Sequence, residues 1–148
     1  MRILLRLLVA AGLAVDAYIH WIFAPDMAGV PGGSISGDTL FRAQAILAAV
    51  VAVLVLAWAT RWTYAIAFVV AGSVLGAVIL YYYVDVGVIG PLPAMHEPVW
   101  YTEKTISAIG EGVAALAAVL GFILGRAPQT PAPVEPAQPQ REAPWVRQ

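Results

Sequence analysis

The stretch Asp85–Glu111, DVGVIGPLPAMHEPVWYTEKTISAIGE, decides how the chain is built. It joins two long apolar runs, and Pro91, Pro93 and Pro98 inside it forbid a continuous helix. Beyond the Trp100-Tyr101 pair the pattern turns helical again at about Thr102. It then carries Glu103, Lys104 and Ser107 before Glu111, which stands well inside the following apolar run. A carboxylate at that depth is costly to insert in lipid, and ionisable residues kept in such places mark functional sites by default.

The rest of the chain extends the same apolar character. Of 148 residues, 61% are hydrophobic and 11% charged, a composition outside the range of water-soluble domains. The net charge of −1 gives no reason to expect nucleic acid as a partner. The absence of cysteine excludes disulfides, thiolate metal sites and cysteine nucleophiles. There is no asparagine, a bias that accords with a GC-rich bacterial genome.

Upstream of Asp85, an apolar run from Tyr64 to Val84 ends in Tyr81-Tyr82-Tyr83, and another runs from Thr39 to Ala59. Only Thr60–Thr63 separate them, so the two form an antiparallel helical hairpin. The loop Pro25–Asp38, with Pro31-Gly32-Gly33 at its centre, precedes them, and Ser36 or Asp38 can cap the helix that follows. The first run, Ile3–Ala24, opens like a signal peptide with Arg2 and Arg6. Its apolar pattern nevertheless continues for about 20 residues, enough to span. Trp21, Trp100 and the tyrosine triplet form one interfacial belt, and Trp58, Trp62 and Tyr64 the other.

These signals predict an all-α fold. A four-transmembrane-helix bundle occupies residues 1–126, with helices over about 3–24, 39–59, 64–84 and 102–125. Residues 127–148 hold six of the eleven prolines and almost no aliphatic residues, which predicts a disordered, solvated tail. Arg2, Arg6, Arg61, Arg126, Arg141 and Arg147 fall on one side of this layout, whereas the two longer loops lack basic residues until Arg42 and Lys104. The positive-inside rule then places both termini in the cytoplasm of a bacterial cell, with the protein in its inner membrane. Cysteines introduced at Ser34 and Ala94 should therefore label from outside intact cells and one at Thr130 should not. Labelling at Thr130 alone would reverse the orientation.

The polar residues gather in the half of the bundle near the two longer loops. Asp16 and Glu111 each lie about 12 Å below the helix ends there, against a half-thickness of about 15 Å. His20 is one turn above Asp16 on the same face. Lys104, Ser107 and Glu111 share a stripe with Ala115 and Ala118, and Arg42 tops a stripe of Ala45, Ala49 and Ala52. Small residues allow close helix approach, while polar groups turn inward. Gly72-xxx-Gly76 and Gly121-xxx-Gly125 are further close-approach sites. Asp16, His20, Arg42, Glu103, Lys104 and Glu111, with His96 in the loop, are therefore the candidate ligand- or ion-binding residues. Asp16 with Arg42, or Glu111 with Lys104, can pair as charges that hold the bundle in register, and Arg42 and His20 are the counter-charges available to the two acids. Asp16, below His20, is the expected ionised carboxylate, and Glu111 the one holding a proton.

No catalytic site emerges. Ser34, Ser36, Ser73 and Ser107 stand in no nucleophile setting. Met27, Met95, His20 and His96 would suit copper by softness, but they lack close ligand spacing. No metal or cofactor is expected on this basis.

The strings VDAYIHW (Val15–Trp21), LFRAQA (Leu40–Ala45) and YYYVDVGVIGPLPAMHEPVWYTEKTISA (Tyr81–Ala108) resemble those of small four-helix integral membrane proteins of actinobacteria. In layout the chain is also similar to the DoxX-like group. The resemblance covers about Ile3–Gly125 and implies a fold and a location. Three function classes follow: an accessory or binding protein with an outward-facing ionisable pocket, a proton- or ion-coupled transporter, and a redox or quinone-linked membrane protein. Partners would be membrane lipid, another membrane protein or a second copy of the chain.

Overall fold

The computed structural model describes residues 2–125, so the tail expected at 127–148 lies outside the described residues. The chain forms four helices, α1 (Arg2–Phe23), α2 (Gly37–Ala57), α3 (Arg61–Tyr83) and α4 (Thr102–Leu124). Each is long and apolar enough to cross a membrane. At 1.5 Å per residue they reach just over the ~30 Å of a hydrocarbon core. Their outer faces carry Leu4, Ile46, Val53, Val69, Ile109 and Leu116, all exposed. An apolar surface on every side of a bundle is stable only in lipid, so the fold is that of a multi-pass membrane protein.

Helix α1 is the centre of the bundle, packing along both α2 and α4, and α4 in turn packs on α3. The core at the end holding the chain's N-terminus comprises Val9, Leu13, Val55, Ala67, Ala114 and Ala118, each fully buried. The tightest seam joins α1 to α4. A Cβ on Gly12 would sit 2.3 Å from the carbonyl oxygen of Gly110, so only glycine permits this backbone approach. By contrast, Gly76 has nothing within 4 Å of its Cβ position and Gly72 meets only Phe68 of its own helix. The Gly72-xxx-Gly76 pair is therefore not a packing seam of the bundle. Gly121 is one, because the ring of Tyr64 lies on it.

Three sequence expectations change. Helix α3 begins at Arg61 rather than Tyr64, because Thr60 is its N-cap and closes a capping box with Thr63. The connection from α2 is thus shorter than the expected Thr60–Thr63 turn. Tyr64 is 3% exposed and belongs to the core, not to the interfacial belt, whereas Trp58 and Trp62 are exposed as expected. The loop after α1 contains a 3₁₀ turn, Pro25–Gly29, started by the fixed φ of proline.

At the other end the two longer loops are joined to each other. The Ser34 and Ile35 amides both donate to the Pro91 carbonyl at 3.0 Å, and the Ala94 amide donates to that of Pro31 at 3.0 Å. Gly33 has a φ of +72° and lies against Pro91 and Leu92 so closely that a side chain would clash with their backbone. These loops carry their own hydrogen bonds and fix the end of the bundle where the polar residues lie.

Candidate functional site

The α1–α4 seam decides what the buried carboxylates meet. Asp16 is one turn beyond Gly12, and Glu111 directly follows Gly110, so the glycine contact draws the two acids together. Asp16 and Glu111 are both fully buried, and His20 is 8% exposed. One ligand atom from each of the three lies within 4.8 Å of the others.

Each carboxylate has one oxygen held and one free. Gln44 donates from Nε2 to Oδ2 of Asp16 at 2.7 Å, and the Ser107 hydroxyl donates to Oε1 of Glu111 at 2.7 Å. Oδ1 of Asp16 and Oε2 of Glu111 have no hydrogen-bond partner. Nδ1 of His20 is 2.6 Å from Oδ1, yet it is aligned with the main-chain carbonyl of Asp16, at 3.0 Å. One ring nitrogen thus faces both the carboxylate and the main-chain carbonyl of Asp16, and these two contacts orient the ring. Phe41 holds the imidazole from the side, with centroids 4.8 Å apart.

Arg42 and Lys104, expected to pair with the acids, are elsewhere. Arg42 is exposed, 3.9 Å from Asp38 and over the Trp21 ring, because it stands about 200° around α2 from Gln44. The buried stripe of α2 runs through Ala45, Ala48, Val51, Ala52 and Val55, and Ala49 faces outward. Lys104 is buried on the predicted face of α4 but turns away from Glu111. Its ammonium donates to the carbonyls of Glu97 (2.8 Å) and Val99 (3.2 Å) and to the Glu97 carboxylate (3.3 Å). The rings of Tyr82, Trp100 and Tyr101 surround it at 5.6–5.8 Å, within cation–π range. Burial and the nearby Glu97 push the Tyr101 phenol up to about 12, so a neutral ring faces the lysine. Among the described residues, no lysine or arginine pairs with Asp16 or Glu111.

The other two candidates lie outside the buried cluster. Nδ1 of His96 lies 2.8 Å from the Tyr81 carbonyl, which also accepts the Glu97 amide, so this loop satisfies a carbonyl in the last turn of α3. Glu103 stands in the first turn of α4, where a negative charge complements the helix dipole. The structure thus brings together Asp16, His20 and Glu111, adds Gln44 and Ser107 to them, gives Arg42, Lys104 and His96 other contacts, and leaves Glu103 in the first turn of α4.

Comparison with protein families, with curated proteins and with solved structures gave no match.

Proposed function

We propose that this chain is an accessory or binding protein of the bacterial inner membrane, with both termini inside. On this reading it holds a small ligand, or a polar group of a partner, in an outward-facing pocket built on Asp16, His20 and Glu111. The supporting observation is that two fully buried carboxylate oxygens lack a hydrogen-bond partner beside an imidazole. Groups kept only to hold helices together are normally satisfied, because each unpaired buried polar atom costs about 1–3 kcal/mol. Proton- or ion-coupled transport is the weaker reading. Beyond the cluster the core is Leu13, Val9, Ala114 and Ala118, fully buried and apolar, so the polar groups do not continue as a relay.

The test is complementation of a deletion strain by Glu111→Gln. The amide keeps the shape of the side chain and its bond to Ser107, so the variant should melt within a few degrees of wild type. It should nevertheless fail to complement, because an ionisable oxygen is gone. A Glu111→Gln protein that melts normally and complements fully contradicts the pocket reading.

A further inference from the structure

The geometry points to a divalent first-row metal ion, bound between α1 and α4 by Asp16, Glu111 and His20. This inference rests on the pocket reading above and names its ligand. The donor set is two carboxylate oxygens and one ring nitrogen from three fully or nearly buried residues. No lysine or arginine among the described residues pairs with either acid, so a bound cation would be the counter-charge of both carboxylates. A divalent cation neutralises the set.

Distances agree with this chemistry. Ligand atoms about 2.1 Å from a tetrahedral ion are about 3.4 Å apart. The three donors already lie within 4.8 Å of one another, and side-chain rotations of about 1 Å close the gap. The surrounding bonds match what metal ligands require. Gln44 and Ser107 each fix one carboxylate oxygen and leave the other for the ion, and the hydrogen bond from Nδ1 to the Asp16 carbonyl leaves Nε2 as the ring nitrogen that would ligate it. Oxygen and imidazole donors without sulfur select zinc, manganese or iron(II) over copper(I). This trio differs from the methionine–histidine set suggested by the sequence, because Asp16 and Glu111 are far apart along the chain and meet only through the glycine seam.

The test uses the full chain in mild detergent, purified through a histidine-free tag, stripped with EDTA and titrated with Zn²⁺ and separately with Mn²⁺. One ion of at least one of these metals should bind per chain. Glu111→Gln and Asp16→Asn should each weaken binding by about 100-fold or more, and Gln44→Ala by about 10- to 100-fold through loss of the orienting bond. Co²⁺ should give visible d–d bands in wild type that Glu111→Gln lacks. If Asp16→Asn does not fold, Glu111→Gln and Gln44→Ala still make the comparison. No saturable binding by a folded wild-type chain overturns the inference, as does equal binding by wild type and Glu111→Gln. Absent metal binding with failed complementation removes the metal but leaves the pocket. Metal binding with full complementation by Glu111→Gln keeps the metal and removes the pocket's role.

Discussion

Gly12→Val should separate α1 from α4 and destabilise the bundle by about 3 kcal/mol, near the upper end for overpacking. Even the first carbon of a side chain at Gly12 would be 2.3 Å from the Gly110 carbonyl oxygen and 2.8 Å from Cβ of Ala114. Neither a backbone carbonyl nor an alanine Cβ can rotate away, so the helices must move. A loss of this size corresponds to a melting temperature lower by about 10 °C. The matched control is Gly76→Val in α3, where nothing lies within 4 Å and the change should be small. Equal melting of the two variants would mean that the Gly12 seam is not tight.

Lys104→Met should have the second largest effect, about 2–3 kcal/mol, felt mainly in the loop before α4. Methionine keeps an apolar stem among Tyr82, Trp100 and Tyr101 but removes the charge they surround. It also leaves the Glu97 and Val99 carbonyls without their donor, and bonds from charged groups are the strong ones. Faster proteolysis and hydrogen exchange in the segment between α3 and α4 should report the loss, with α1 and α2 little changed. Unchanged protection across Pro93–Tyr101 would show that the lysine does not hold this loop.

Much of this arrangement was legible in the sequence. Length and apolar content marked all four helices, and the i, i+4 spacing placed His20 beside Asp16 and Ser107 beside Glu111. The partners across helices were not legible. Arg42 and Gln44 are two residues apart, and only the rotation of α2 about its axis decides which of them faces α1. A stripe drawn through Ala48 and Val51 instead of Ala49 would have chosen Gln44, but alanines at 45, 48, 49 and 52 fit more than one stripe. Lys104 was expected above Glu111 because the two share a helix face. The preceding loop supplies it with the Glu97 and Val99 carbonyls, the Glu97 carboxylate and the rings of Trp100 and Tyr101, and α3 adds that of Tyr82, which spacing along a helix does not reveal. Gly12 and Gly110 are inconspicuous in the sequence because each is a single glycine among many small residues, whereas the more conspicuous Gly72-xxx-Gly76 makes no contact with another helix. Thr60–Thr63 reads as a turn because both threonines suit one, and the reciprocal capping box that starts α3 shows only in the structure.

The central claim is that α1 and α4 bring Asp16 and Glu111 into one buried site. A double-mutant cycle measures it most directly, with Asp16→Asn, Glu111→Gln and the double variant unfolded reversibly in metal-free detergent. Groups that share a site couple by about 0.5–3 kcal/mol, whereas independent positions add to within about 0.3–0.5 kcal/mol. The two substitutions should be non-additive by about 1 kcal/mol or more, because each single variant already removes the interaction that the double variant can remove only once. Strict additivity would place the two carboxylates in separate environments and contradict the account.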